Sequence, residues 1–98
     1  RCRSNKTEMY IDWKSYMTDE ITVTARVGSE AAKRGRWGAS SDNQASFAPS
    51  VIPLLQSMLE QTSFVAQATP YSENPITAVF DITSMGNAIQ PLRETCGW

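Results

Sequence analysis

Cys2 and Cys96 stand near the two ends of a 98-residue chain that contains no histidine, and theirs is the chemistry the sequence defines best. Joined, they would tie the first strand to the last segment and close almost the whole chain into one loop. Chain-entropy arithmetic gives about 4–5 kcal/mol for a closure of that size. Cys96 also falls on an expected packing face, which favours the pairing. Such a bridge persists in an oxidising compartment, so the pair points to a periplasmic or secreted protein. The alternative is two unpaired buried thiols in a cytosolic protein.

Other chemistry is sparse. Without histidine, Ser–His–Asp and Cys–His catalysis are excluded, and the commonest metal ligand is missing. The two cysteines lack the close spacing of a structural zinc site, and no acidic run resembles a calcium loop. Gly35 and Gly38 are isolated and make no phosphate loop. Two acids, Asp12 and Asp81, suit a carboxylate-pair glycosidase only if the fold brings them together. Solvated acids on a sheet surface are the plainer reading. The chain is therefore expected to have no catalytic residues, no metal and no cofactor.

A recognition surface fits better. Tyr10, Asp12 and Lys14 alternate with apolar residues on one strand face, with Tyr16 close behind, and Arg26, Arg34 and Arg36 fall on neighbouring strands. Tyrosine and arginine combine apolar area with directed hydrogen bonds, which suits protein contacts. Tyr10, Asp12, Lys14, Arg34 and Arg36 are thus the candidate protein-binding residues. Strand propensity and cross-strand charge pairing account for the same residues more plainly.

Charge bounds the partners. Residues 1–36 hold eight Lys/Arg against five Asp/Glu, a balance of +3; residues 37–98 hold Arg93 against five acids, a balance of −4. The one basic cluster, Lys33-Arg34-Gly35-Arg36, is too narrow for a nucleic-acid surface. No apolar run approaches a signal-peptide core or a membrane span. Arg1 is not an initiator methionine, so the chain reads as a trimmed piece or a mature fragment, with residues 1–98 the C-terminal part of a longer precursor. The preceding segment would carry an export signal or lipid anchor.

These residues need elements to hold them. Period-two alternation predicts strands over 8–14 (Met9, Ile11 and Trp13 inward), 21–27, 34–40 and 44–47. Gly28 should end the second. A helix is expected near 51–61, with Ser50 at its cap and Pro53 in its first turn. Strands at 64–69 and 76–82 form an antiparallel hairpin around a turn at 70–75. Trp13, Trp37, Phe64 and Phe80 read as core. Met85, Ile89, Leu92 and Cys96 make one helical stripe, which Pro91 either kinks or shortens to a helix starting near Gln90. The expected fold is α+β: one domain with an antiparallel sheet of about five or six strands, packed by two short helices and closed by a terminal disulfide.

The opening Arg1-Cys2-Arg3 and Asn5 to Trp13 resembles the VasI-type proteins associated with bacterial type VI secretion, with related exported and prophage-encoded domains. Arg36-Trp37, Ser40-Ser41-Asp42, Phe47-Ala48-Pro49, the stretch Thr69–Asp81 and the ending Pro91–Trp98 look like the same family. The resemblance implies an exported accessory domain whose Cys2 and Cys96 pair, and it implies no catalysis. Members of that family usually carry further sequence before the domain. The expected function is a noncatalytic periplasmic protein-binding domain of an envelope or secretion machine. The alternative is a phage superinfection-exclusion factor or an inhibitor of a cell-wall-degrading enzyme, acting on a phage or envelope protein.

Overall fold

In Ile21–Val27 every second side chain is apolar, and that alternation sends Ile21, Val23, Ala25 and Val27 to one face of a strand. The computed structural model describes residues 1–17, 20–71 and 73–98. Its elements are β1 (Cys2–Arg3), β2 (Lys6–Thr7), β3 (Tyr10–Asp12), β4 (Glu20–Val27), β5 (Lys33–Ala39), β6 (Ala45–Phe47), α1 (Val51–Met58), β7 (Ser63–Ala68), β8 (Ile76–Asp81), α2 (Met85–Ala88) and α3 (Gln90–Cys96). Strands β3 to β8 form one antiparallel sheet in the order β3-β6-β5-β4-β7-β8, and β1 and β2 form a separate hairpin. The fold is α+β, as expected, with the Cys2–Cys96 disulfide in place at a Cα–Cα distance of 5.9 Å.

The registers fix two faces. Ile21 lies opposite Trp37, Val23 opposite Gly35, Ala25 opposite Ala66 and Val27 opposite Phe64. This inner face, with Ile11, Trp13 and Met17, packs on Leu55 and Met58 of α1 to make the core. Ser46 is buried among them, and its Oγ accepts a hydrogen bond from Trp13 Nε1 at 3.1 Å. Gly28, with φ 54°, ends β4, and its N–H donates to the Ser63 C=O at 2.8 Å. That backbone favours glycine.

Several boundaries differ from the sequence reading. Tyr10–Asp12 is the only ladder within the expected strand 8–14, because Lys14 turns the chain at φ 59°. Trp13 and Met17 still donate their N–H groups to Gln44 and Asn43 C=O, at 2.8 and 2.6 Å. Ser50 does not cap α1 through its side chain: it sits at φ 49°, and only its C=O accepts, from Leu54 N–H at 3.4 Å. A side-chain cap needs extended backbone at that position. The helix ends at Met58, and the N–H groups of Glu60 and Gln61 close tighter turns onto Ser57 and Met58.

The 63–68 and 76–81 hairpin pairs as predicted, Ser63 opposite Asp81 and Ala68 opposite Ile76. Ser72, inside the predicted turn, lies outside the described residues; around it Glu73 N–H donates to Pro70 C=O at 3.3 Å. Phe80 is no core residue but 39 % exposed, since β8 is the last strand of the sheet. The final stripe divides at Ile89 into a one-turn α2 and α3, which begins at Gln90. Pro91 sits in the first turn of α3, where its missing N–H costs nothing. α3 rests mainly on β1 and β2, not on the large sheet as expected.

Candidate functional site

Tyr10, opposite Phe47, and Phe47, opposite Gly38, lie in one row across β3, β6 and β5. Residues two apart on a strand share a face, so Arg36 and Arg34 lie on the same outer face as Tyr10 and Asp12. Two strand spacings, about 10 Å, separate the strands that carry them. The sheet thus gathers four of the five expected contact residues on one face, in two groups. Lys14 lies beyond the end of β3, where its Nζ meets Asp12 Oδ2 at 3.1 Å.

The first group is larger than the sequence indicated. Tyr10, 46 % exposed, packs against Phe47 with ring centroids 5.2 Å apart, and the Arg1 guanidinium lies 5.4 Å from both centroids. Arg1 Nε also donates to Glu8 Oε1 at 3.3 Å, and its amino group to the Glu8 C=O. Arg1, Tyr10 and Phe47 join Arg3, Asp12, Ser40 and Asp42 around a shallow basin of about 540 Å³. Arg1 and Arg3 escaped the sequence reading because β1 and β2 hold two residues each, too few to show alternation. The hairpin turn, with Ser4 and Asn5 at φ 51° and 62°, has the geometry of a two-residue turn but not its usual Asn-Gly signature.

The second group has a structural role. Among the described residues β5 pairs with β6 only at Gly38 and Ala39, so Lys33–Trp37 has one open side. Lys33, Arg34 and Arg36 are the residue types that keep an open edge from pairing with another chain.

The fold does bring Asp12 and Asp81 to one opening. β3 and β8 stand at opposite ends of the strand order, yet the curled sheet sets Tyr10–Asp12 and Phe80–Ile82 around a single cleft, with Met58 and Phe64 also lining it. Both carboxyls are held below the ordinary aspartate value of 3.8. For Asp12 the first cause is the Lys14 backbone N–H, 3.0 Å from Oδ1. For Asp81 it is the Thr83 hydroxyl, followed by the Thr83 N–H. Asp42 is lowered in the same way, first by the Ser40 hydroxyl and then by the Gln44 N–H. A glycosidase general acid needs the opposite shift, a raised value.

These three shifts set an acid limit. Where the folded value is depressed, the contribution to stability is full above the unfolded value and fades as pH falls through the folded one. The chemical-denaturation midpoint is therefore expected to hold steady from neutral pH down to about 4 and to fall below 3.8. Because all three groups are solvated, the fall is shallow. The triple Asn variant should flatten this slope. A midpoint that rises below pH 3.8 contradicts the assignment.

Fold and surface together define a small disulfide-closed α+β domain with an open, curled antiparallel sheet. No family model, no curated protein and no solved structure matches the chain. No helix among the described residues is long and apolar enough to cross a membrane.

Proposed function

We propose that the domain is a noncatalytic protein-recognition element, working in the bacterial periplasm or outside the cell as an accessory of an envelope or secretion machine. The observation that carries this reading is the placement of Tyr10, Asp12, Arg34 and Arg36 on one sheet face, with the Arg1–Tyr10–Phe47 cluster at its end. Stacked arginine and tyrosine present broad, ordered contact area at low entropic cost. The disulfide supports an oxidising compartment, and the lowered Asp12 and Asp81 argue against either serving as a glycosidase general acid. The resemblance of the opening and closing segments to VasI-type domains, read from the sequence alone, is the ground for the accessory role.

Crosslinking with mass spectrometry in the native envelope tests the proposal. The crosslinks expected run from this face to one envelope or secretion-system protein, and Arg34→Glu with Arg36→Glu should reduce them at least about tenfold, as reversal of contact charges does. Crosslinks that persist in the double variant overturn the assignment of the surface. Inhibition of a cell-wall hydrolase by the purified domain would instead establish the inhibitor alternative.

A further inference from the structure

The open edges of the sheet are treated differently. Lys33–Trp37 of β5 carries three cations, whereas β8 carries neither Lys nor Pro along Ile76–Asp81 and leaves Val79 71 % exposed. An edge without lysine or proline lacks two devices that block pairing, and Asp81 at its end is the one charge on it. Its polar groups can be assigned a direction. Ile82 N–H donates to Thr62 C=O at 3.0 Å, so Ile82, Phe80 and Ala78 turn their peptide groups toward β7. Thr77, Val79 and Asp81 therefore turn theirs outward.

β3 has the matching property. Ala48 N–H donates to Met9 C=O at 2.9 Å and Trp13 N–H to Gln44 C=O at 2.8 Å, which leaves Tyr10 and Asp12 with outward peptide groups. These two outward edges border the same cleft, about 360 Å³ in volume, whose apolar lining includes Ile11, Met58, Phe64 and Phe80. Its charged lining residues are Asp12 and Asp81.

We propose that the cleft between β3 and β8 receives an extended segment of a partner polypeptide as an added strand, apolar side chains turned inward over Met58 and Phe64 and basic side chains outward beside Asp12 and Asp81. Charge selects the guest: two carboxylates rim the cleft, and Lys14 offsets only Asp12, from an exposed position. Topology favours a lone segment. A second copy pairing through its own β8 would bring its β7 against β3, whereas a lone segment brings no second strand with it. Because five successive antiparallel pairings link β3 to β8, the two edges run in opposite directions, and the guest lies antiparallel to the longer one, β8. Backbone pairing supplies affinity and the alternating pockets supply selectivity. This inference shares Tyr10 and Asp12 with the recognition face but needs neither Arg34 nor Arg36, so the Arg34→Glu with Arg36→Glu variant should leave it intact.

Fluorescence anisotropy with the oxidised domain and a labelled short peptide alternating valine and arginine tests it. Binding is expected to be at least about tenfold tighter than for a peptide of the same composition with its valines and arginines in separate blocks, or for one alternating valine and glutamate. Asp12→Asn with Asp81→Asn should weaken it by a similar factor. Val79→Pro removes an N–H that points away from β7, so it should abolish binding while the melting temperature stays within a few degrees. If that variant does not fold, slowed amide exchange at Thr77, Val79 and Tyr10 on peptide addition reads the same contact in the unaltered protein. Equal binding of all three peptides, no binding, or unchanged exchange at those amides overturns the proposal. So does a dimer in sedimentation that the peptide disperses, which would make a second copy the occupant.

Discussion

Cys96→Ser, or reduction of the native disulfide, is expected to lower the melting temperature by roughly 16–40 °C. The estimate has two steps. Opening a loop of about 100 residues returns about 4–5 kcal/mol of conformational entropy to the unfolded chain. Each kcal/mol moves the midpoint of a domain this size by about 4–8 °C. The loss falls mainly on the unfolded state, because neither cysteine belongs to the six-stranded sheet. Noncovalent contacts also join the ends: Trp98 Nε1 donates to the buried Thr7 Oγ1 at 2.8 Å, and Arg93 lies 5.0 Å from the Trp98 ring centroid while its Nη2 donates to the Trp98 C=O. One such hydrogen bond is worth about 1 kcal/mol, too little to replace the covalent closure. Far-ultraviolet circular dichroism at low temperature should keep its sheet signature in the serine variant. Calorimetry with and without reductant decides the matter, and a change under about 5 °C would show that the bridge does not constrain the unfolded chain.

What the sequence disclosed, and what it withheld, follows from the range of each signal. β4 was legible because eight residues repeat one alternation, and the β7–β8 hairpin because Asn74-Pro75 forbids a helix between two apolar runs. The disulfide was legible from position and composition alone. β1 and β2 were not, since a two-residue strand has no period, and with them went the contacts of Arg1 and Arg3 to the outer face. Ser50 looked like a cap by type, but capping is decided by backbone angle, and at its left-handed φ the hydroxyl makes no cap hydrogen bond. The meeting of Asp12 with Asp81 was also hidden. It depends on how far the sheet curls, a property of all six strands together that no local pattern records.

Curling also explains why the two aromatic residues of the β7–β8 pair differ in what they contribute. Phe64 and Phe80 face each other in the register, with ring centroids 6.1 Å apart and planes 29° from parallel. Phe64 is 1 % exposed on a strand with neighbours on both sides, while Phe80 lies on the edge above the cleft. Phe64→Ala should therefore cost about 3–5 kcal/mol, the range for a buried aromatic whose site cannot collapse. Phe80→Ala should cost about half as much or less, because a ring already partly in water loses less area. Their double variant should cost less than the sum by about 0.5–1.5 kcal/mol, the coupling of an aromatic pair. Guanidinium melts of the oxidised protein measure all three. Because Phe64 also lines the cleft, its removal opens the interior at the place where the added strand is proposed to dock. If Phe80→Ala proves as costly as Phe64→Ala, the cleft is closed in solution and the sheet is a sealed barrel rather than an open one.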